Sequence, residues 1–176
     1  MSKTKWIIDP QHSDIGFKVK HMMFTTVSGH FDKFAADVES DGDNFENATI
    51  NFTAETASIN TNSENRDAHL RSADFFDAEN FPQLSFKSES FTKKAENLYT
   101  LVGTMTIKDV SEKVTLNAEY SGLMKDPWGG TRAGFSLEAK INRKDFGLNW
   151  NAALETGGVL VSDEVRLLCE IQLVKQ

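Results

Sequence analysis

The chain has 176 residues, 39% of them hydrophobic, and 19 Lys and Arg stand against 26 Asp and Glu for a net charge of −7. That length predicts a single domain over residues 1–176 with a sizeable core. The acidic balance excludes a whole-molecule basic field of the kind that holds nucleic acid or draws a protein onto anionic lipid; only a local basic patch escapes the argument.

The first apolar run is Trp6-Ile7-Ile8, too short for the core of a secretion signal, and no stretch reaches the roughly 18 apolar residues of a membrane helix. The expected location is therefore the cytoplasm, or the periplasm if Met1 replaces a removed signal. From residue 14 onward, apolar side chains recur at every second position, the period of a strand with one buried face. The alternation runs through Ile15, Phe17 and Val19, then Phe34, Ala36 and Val38, then Ala48, Ile50, Phe52 and Ala54. It returns at Leu84 and Phe86, at Tyr99 to Ile107, at Val114 to Tyr120, at Phe135 to Ile141 and at Val165 to Leu173.

These are eight segments of roughly 7–11 residues, longer than the ~5–6 residues of an ordinary strand. The polar clusters between them, residues 40–47, 92–97, 108–113 and 124–132, are short, so neighbouring strands run antiparallel. Eight long one-sided strands in up-and-down order predict an all-β barrel rather than a two-sheet sandwich.

Two segments depart from this pattern. Residues 61–73 open on Thr61-x-x-Glu64, which reads as a capping box and predicts a short helix near residues 62–73 over one barrel end. Residues 143–163 form a long connection carrying Phe146, Trp150 and the pair Gly157-Gly158, the length expected of a functional lid. The single cysteine, Cys169, excludes an internal disulfide and a Cys-based zinc site, and its apolar setting reads as a small core residue.

The inferred inward face comprises Phe17, Val19, Ile50, Phe52, Phe86, Leu101, Met105, Leu116, Phe135, Leu137, Ile141 and Leu167, and Trp150 joins it from the long connection. Phenylalanine supplies 13 residues against two Tyr and three Trp, so this face brings apolar area with few buried donors to satisfy. Alternation alone leaves a solid core and a ligand tunnel equally open. Small residues on the same face, Gly103 among them, leave volume for a bulky neighbour or for a ligand.

Catalytic signatures such as G-x-S-x-G, H-E-x-x-H and a Walker loop are absent, and the four histidines have no metal-ligand spacing. No metal and no cofactor are expected. His12 reads as a local partner of Asp9 or Asp14. Arg66, His69 and Arg71 on the helix, with His21, are candidates for meeting a polar head group at a barrel mouth, since Arg matches phosphate geometry. The plainer reading of the helix places Asp67 near its N-terminus and turns the arginines to water.

WIIDPQHSDIGFKVKH, VSGHF, NRDAHLRSADFFDAENFPQLSF, INRKDFGLNW and VSDEVRLLCEIQL together resemble the YceI-like, polyisoprenoid-binding family, from Trp6 to about Leu173. The resemblance implies an eight-stranded antiparallel lipocalin-like barrel with an elongated cavity. Its implied ligand is a long isoprenoid, such as a quinone tail or polyprenyl phosphate, or a similar amphiphile. It brings no catalytic residues, and it allows a homodimer. One departure is MTIKDVSEKV at 105–114, where the family usually has a Gly in the turn. The leading expectation is a non-enzymatic carrier or sequestering protein, with no nucleic acid partner. The rivals are an enzyme using His21 or His12 as general base inside the barrel, and a solid-cored stress-response or interaction module.

Overall fold

Alternation in the sequence becomes pleat in the structure, a computed structural model that describes residues 3–22, 24–151 and 161–176. The strands are β1 (Thr4–Ile8), β2 (Asp14–His21), β3 (Thr25–Phe31), β4 (Phe34–Asp41), β5 (Asn44–Glu55), β6 (Ile59–Asn60), β7 (Gln83–Ala95), β8 (Leu98–Ile107), β9 (Val110–Lys125), β10 (Thr131–Asn142) and β11 (Val161–Lys175). Among the described residues one α-helix, α1 (Glu64–Arg71), lies between β6 and β7.

Every pairing is antiparallel, and the ring β1-β4-β5-β7-β8-β9-β10-β11 closes through a β1–β11 pairing. The wall is an eight-stranded barrel, as expected. Eleven strands make eight staves because three staves are broken. β1 and β2 follow one another along β11, which pairs with β2 through Glu170 and with β1 from Leu173. Pro10, which has no N–H to give a ladder, lies in that break. β3 and β4 make the next stave, and β5 and β6 the third, interrupted by a 3-10 turn at Thr56–Ser58.

The helix is shorter than expected and is capped differently. Ser63, not Thr61, is its N-cap and accepts from the Arg66 N–H, while Glu64 pairs with Arg71 instead of closing a capping box. Thr61 stands free of the helix and donates both its N–H and its hydroxyl to Asp67. Asp67 is buried, so it ties the approach strand to the helix as well as lying in its first turn.

The two barrel ends differ. At the end away from α1, Trp6, Phe45, Phe91, Tyr99 and Phe135 are buried together, and Tyr120 packs on them. Phe45 meets Trp6 and Phe135 at ring separations of 5.0 Å, and Phe91 stacks on Tyr99 at 4.7 Å. Trp6 satisfies its indole N–H by donating to Ser40 Oγ at 2.7 Å. These rings floor the barrel. On the outside, Arg132 of β10 reaches Asp9 between β1 and β2, Gln172 of β11 and Asp126 of the β9–β10 turn. This clasp joins the first and last staves.

Candidate functional site

Above the aromatic floor, the described residues enclose a cavity of about 620 Å³. Of the two interiors that alternation left open, the structure has the hollow one: above the floor, inward side chains line a void instead of meeting across it. The size falls within the 300–1,000 Å³ of ordinary ligand pockets. Inward residues such as Phe17, Ile50, Phe52 and Met105 are only partly buried because one side of each faces this space.

Each inferred inward residue, Phe17, Val19, Ile50, Phe52, Phe86, Leu101, Met105, Leu116, Phe135, Leu137, Ile141 and Leu167, lies on the cavity wall, and Trp150 joins them. Gly103 does not widen the space, because the Phe86 ring lies where its Cβ would be. Cys169 is also on the wall rather than in a packed core. Burial pushes its thiol up to about 11, so it stays protonated and serves as a small apolar wall residue. Sequence reasoning missed Phe31 of β3 and the trio Leu70, Phe75 and Phe76 at and beyond the helix. The one signal for Phe75 and Phe76 was their adjacency in SADFFDAENF, an apolar pair with no period of its own.

Polar lining is confined to the α1 end, where Lys20, His21, Ser63, Asn65, Arg66, His69 and Arg143 gather. The strand ends, the helix and the connection after β10 all meet there, which makes it the mouth. Of the head-group candidates, His21, Arg66 and His69 reach it and Arg71 does not; Arg71 is spent on Glu64 at 3.2 Å. Arg66 is partly committed as well, its Nε and Nη2 donating to the hydroxyl and carbonyl of Thr61, each at 2.7 Å. His69 Nε2 lies 2.8 Å from Asp74, and its ring packs edge-on against Trp150 at 4.5 Å.

Arg143, which sequence reasoning did not single out, organises this rim. It is 3% exposed, and its Nε and Nη1 donate to the carbonyls of Ser162, Leu148 and Trp150. Burial lowers its pKa while Asp163, 3.9 Å away, opposes the shift. A buried guanidinium surrounded by carbonyls holds the start of the long connection in place, which sets Trp150 over the mouth. The expected lid pair Gly157-Gly158 lies outside the described residues.

His12 pairs with Asp9, as expected, its Nδ1 2.7 Å from the carboxylate within the outer clasp. It has no place on the cavity wall, so the rival reading of His12 as a general base inside the barrel is corrected. Among the described residues no three His, Cys, Asp or Glu side chains converge as metal ligands.

A model of the YceI-like domain matches residues 6–173. The chain belongs to the YceI-like family. It is 37% identical to a UPF0312 protein of Staphylococcus aureus over 164 residues, 93% of each chain. The YCEI protein of Campylobacter jejuni shares 33% identity at a TM-score of 0.76, over 93% of this chain and 94% of that one. Two more distant structures share the fold. BcnA of Burkholderia cenocepacia has a TM-score of 0.81 at 24% identity, over 94% of this chain and 98% of its own. A polyisoprenoid-binding domain from Saccharophagus degradans has a TM-score of 0.67 at 14% identity, over 96% and 97%. The hairpin over 105–114 forms, with Lys108 taking φ 59° in the two-residue β8–β9 turn.

Proposed function

We propose that this YceI-like barrel binds a long-chain isoprenoid lipid, of the quinone or polyprenyl phosphate type, or a similar amphiphile, and carries or sequesters it without catalysing its conversion. The observation that carries this reading is the cavity: about 620 Å³, apolar along its length, floored by aromatic rings and polar only at its mouth. That polarity gradient fits a molecule with one greasy end and one wet end. The solved polyisoprenoid-binding domain of the same fold supports the ligand class. Each buried methylene contributes ~0.8 kcal/mol, so a handful already supply several kcal/mol of binding. Head-group selectivity is weak on this account, because Arg66 is mostly engaged with Thr61 and the other mouth groups are not arranged as a chelating fork. Such a carrier needs no cofactor beyond its lipid.

The test is to purify the protein without detergent, extract it with organic solvent and analyse the extract by mass spectrometry. A stoichiometric isoprenoid or quinone is the expected result. A mixture of ordinary phospholipid with no isoprenoid, from folded protein, overturns the ligand class.

A further inference from the structure

The chain is acidic, yet in its β2–β3 hairpin, Asp14–Phe31, the one acid is Asp14 at the end away from the mouth, while Lys18 and Lys20 lie on the way to it. The register extends this bias sideways. Lys18 of β2 stands opposite Arg166 of β11, and Arg166 stands opposite Lys140 of β10. Their sequence neighbours Phe17, Leu167 and Ile141 line the cavity, so the three cations share the outer face of the wall. All three are exposed, and none makes an ion pair among the described residues.

Adjacent strands lie roughly 4.8 Å apart, and like charges directly opposite each other destabilise a sheet. Glu138 and Glu164 stand two residues to either side of this row, on β10 and β11, and neither closes on it. Three cations in register, unneutralised in a protein of net charge −7, are complementary to an extended anionic surface.

The same hairpin ends at the cavity mouth in exposed apolar side chains. Phe24 is 85% exposed and Met22 is 40% exposed, and the next residue inward, His21, already lines the cavity. An apolar tip flanked by cations is the pattern of a protein that seats in the interface of a bilayer, with rings among the acyl chains and amines at the phosphates.

We infer that the β2–β3 hairpin and the Lys18–Arg166–Lys140 row dock this barrel, mouth first, on an anionic lipid bilayer. The inference rests on the carrier reading for its purpose, since a lipid leaving the bilayer would then meet the cavity-facing Phe17, Val19 and Val27 of the same hairpin.

The test is sedimentation of the full chain with vesicles of phosphatidylcholine alone or mixed with phosphatidylglycerol. Uptake of a short isoprenol is measured separately in vesicle-free solution. The mixed vesicles are expected to bind about tenfold more protein, with salt weakening the difference. Phe24→Ser and the pair Lys18→Glu with Arg166→Glu each lower that binding by about tenfold and leave isoprenol uptake unchanged. Lys140→Glu is the milder variant if the pair does not fold. Equal binding to both vesicle types, variants that bind like the parent, or capture of a DNA duplex with the vesicles ignored would each overturn the docking surface. Vesicle binding in the expected pattern without isoprenol uptake upholds the surface and refutes the carrier reading.

Discussion

Lys108 shows how a single residue holds a place better suited to glycine. The β8–β9 turn has only Lys108 and Asp109 between its strands, and it requires φ 59° at Lys108. An L side chain in the left-handed region costs roughly 1–2 kcal/mol, which glycine avoids. Lys108→Gly is therefore expected to stabilise the fold by about 0.5–1 kcal/mol, after the added freedom of the unfolded chain is counted. Urea unfolding would show this as a higher midpoint at an unchanged slope; a lower midpoint would refute it. The cavity wall was more legible than this turn. Phe17 announces its direction by standing between Gly16 and Lys18, and Leu116 by standing between Thr115 and Asn117. Arg143 announces nothing: a charged residue at the end of a strand reads as exposed, and only the carbonyls of Leu148, Trp150 and Ser162 closing around it make burial tolerable.

Among the elements, the broken staves were the hardest to foresee. β3, with the sequence TTVSGHF, has no apolar alternation, because Gly29 faces the Phe17 ring where a side chain would collide with it. β1 is five residues long and reads as a bare apolar run, yet it carries Trp6 into the floor. The break between β1 and β2 is held by Asp9, whose carboxylate is drawn down to about 2, chiefly by Arg132 and then by His12. A carboxylate with a folded pKa below its ordinary 3.8 contributes stability above that value and loses it as pH falls towards 2. Asp9→Asn should therefore lower stability at neutral pH and flatten the loss between about pH 4 and 2. Thermal melts across that range check it; parallel curves for the two proteins would show that the clasp does not couple to folding.

At the scale of the whole molecule, one alternating pattern produces two different interiors. Toward the floor, Trp6, Phe45, Phe91, Tyr99 and Phe135 meet ring to ring and fill the barrel; toward α1 the inward side chains stop short of one another. Periodicity reports which side of a strand is buried and says nothing about whether opposite walls touch, so the void was not legible in the sequence. The same applies to the basic row, since Lys18, Arg166 and Lys140 are far apart in sequence and meet only through strand register. The resulting molecule has a sealed end, an open end and a charge distribution that opposes its net sign beside the open end.

The central claim is that an apolar chain occupies the cavity lengthwise. Titration of lipid-free protein with isoprenoid quinones of graded tail length, followed by tryptophan quenching, tests it most directly, because Trp150 stands at the mouth. Affinity should climb with each added isoprene unit until the floor is reached and then level off, well short of the ~0.8 kcal/mol per methylene ceiling. Leu116→Trp, which places an indole on the wall, should move that plateau to shorter tails in a protein that still folds. An affinity independent of tail length, or a Leu116→Trp profile that matches the parent, would contradict the account.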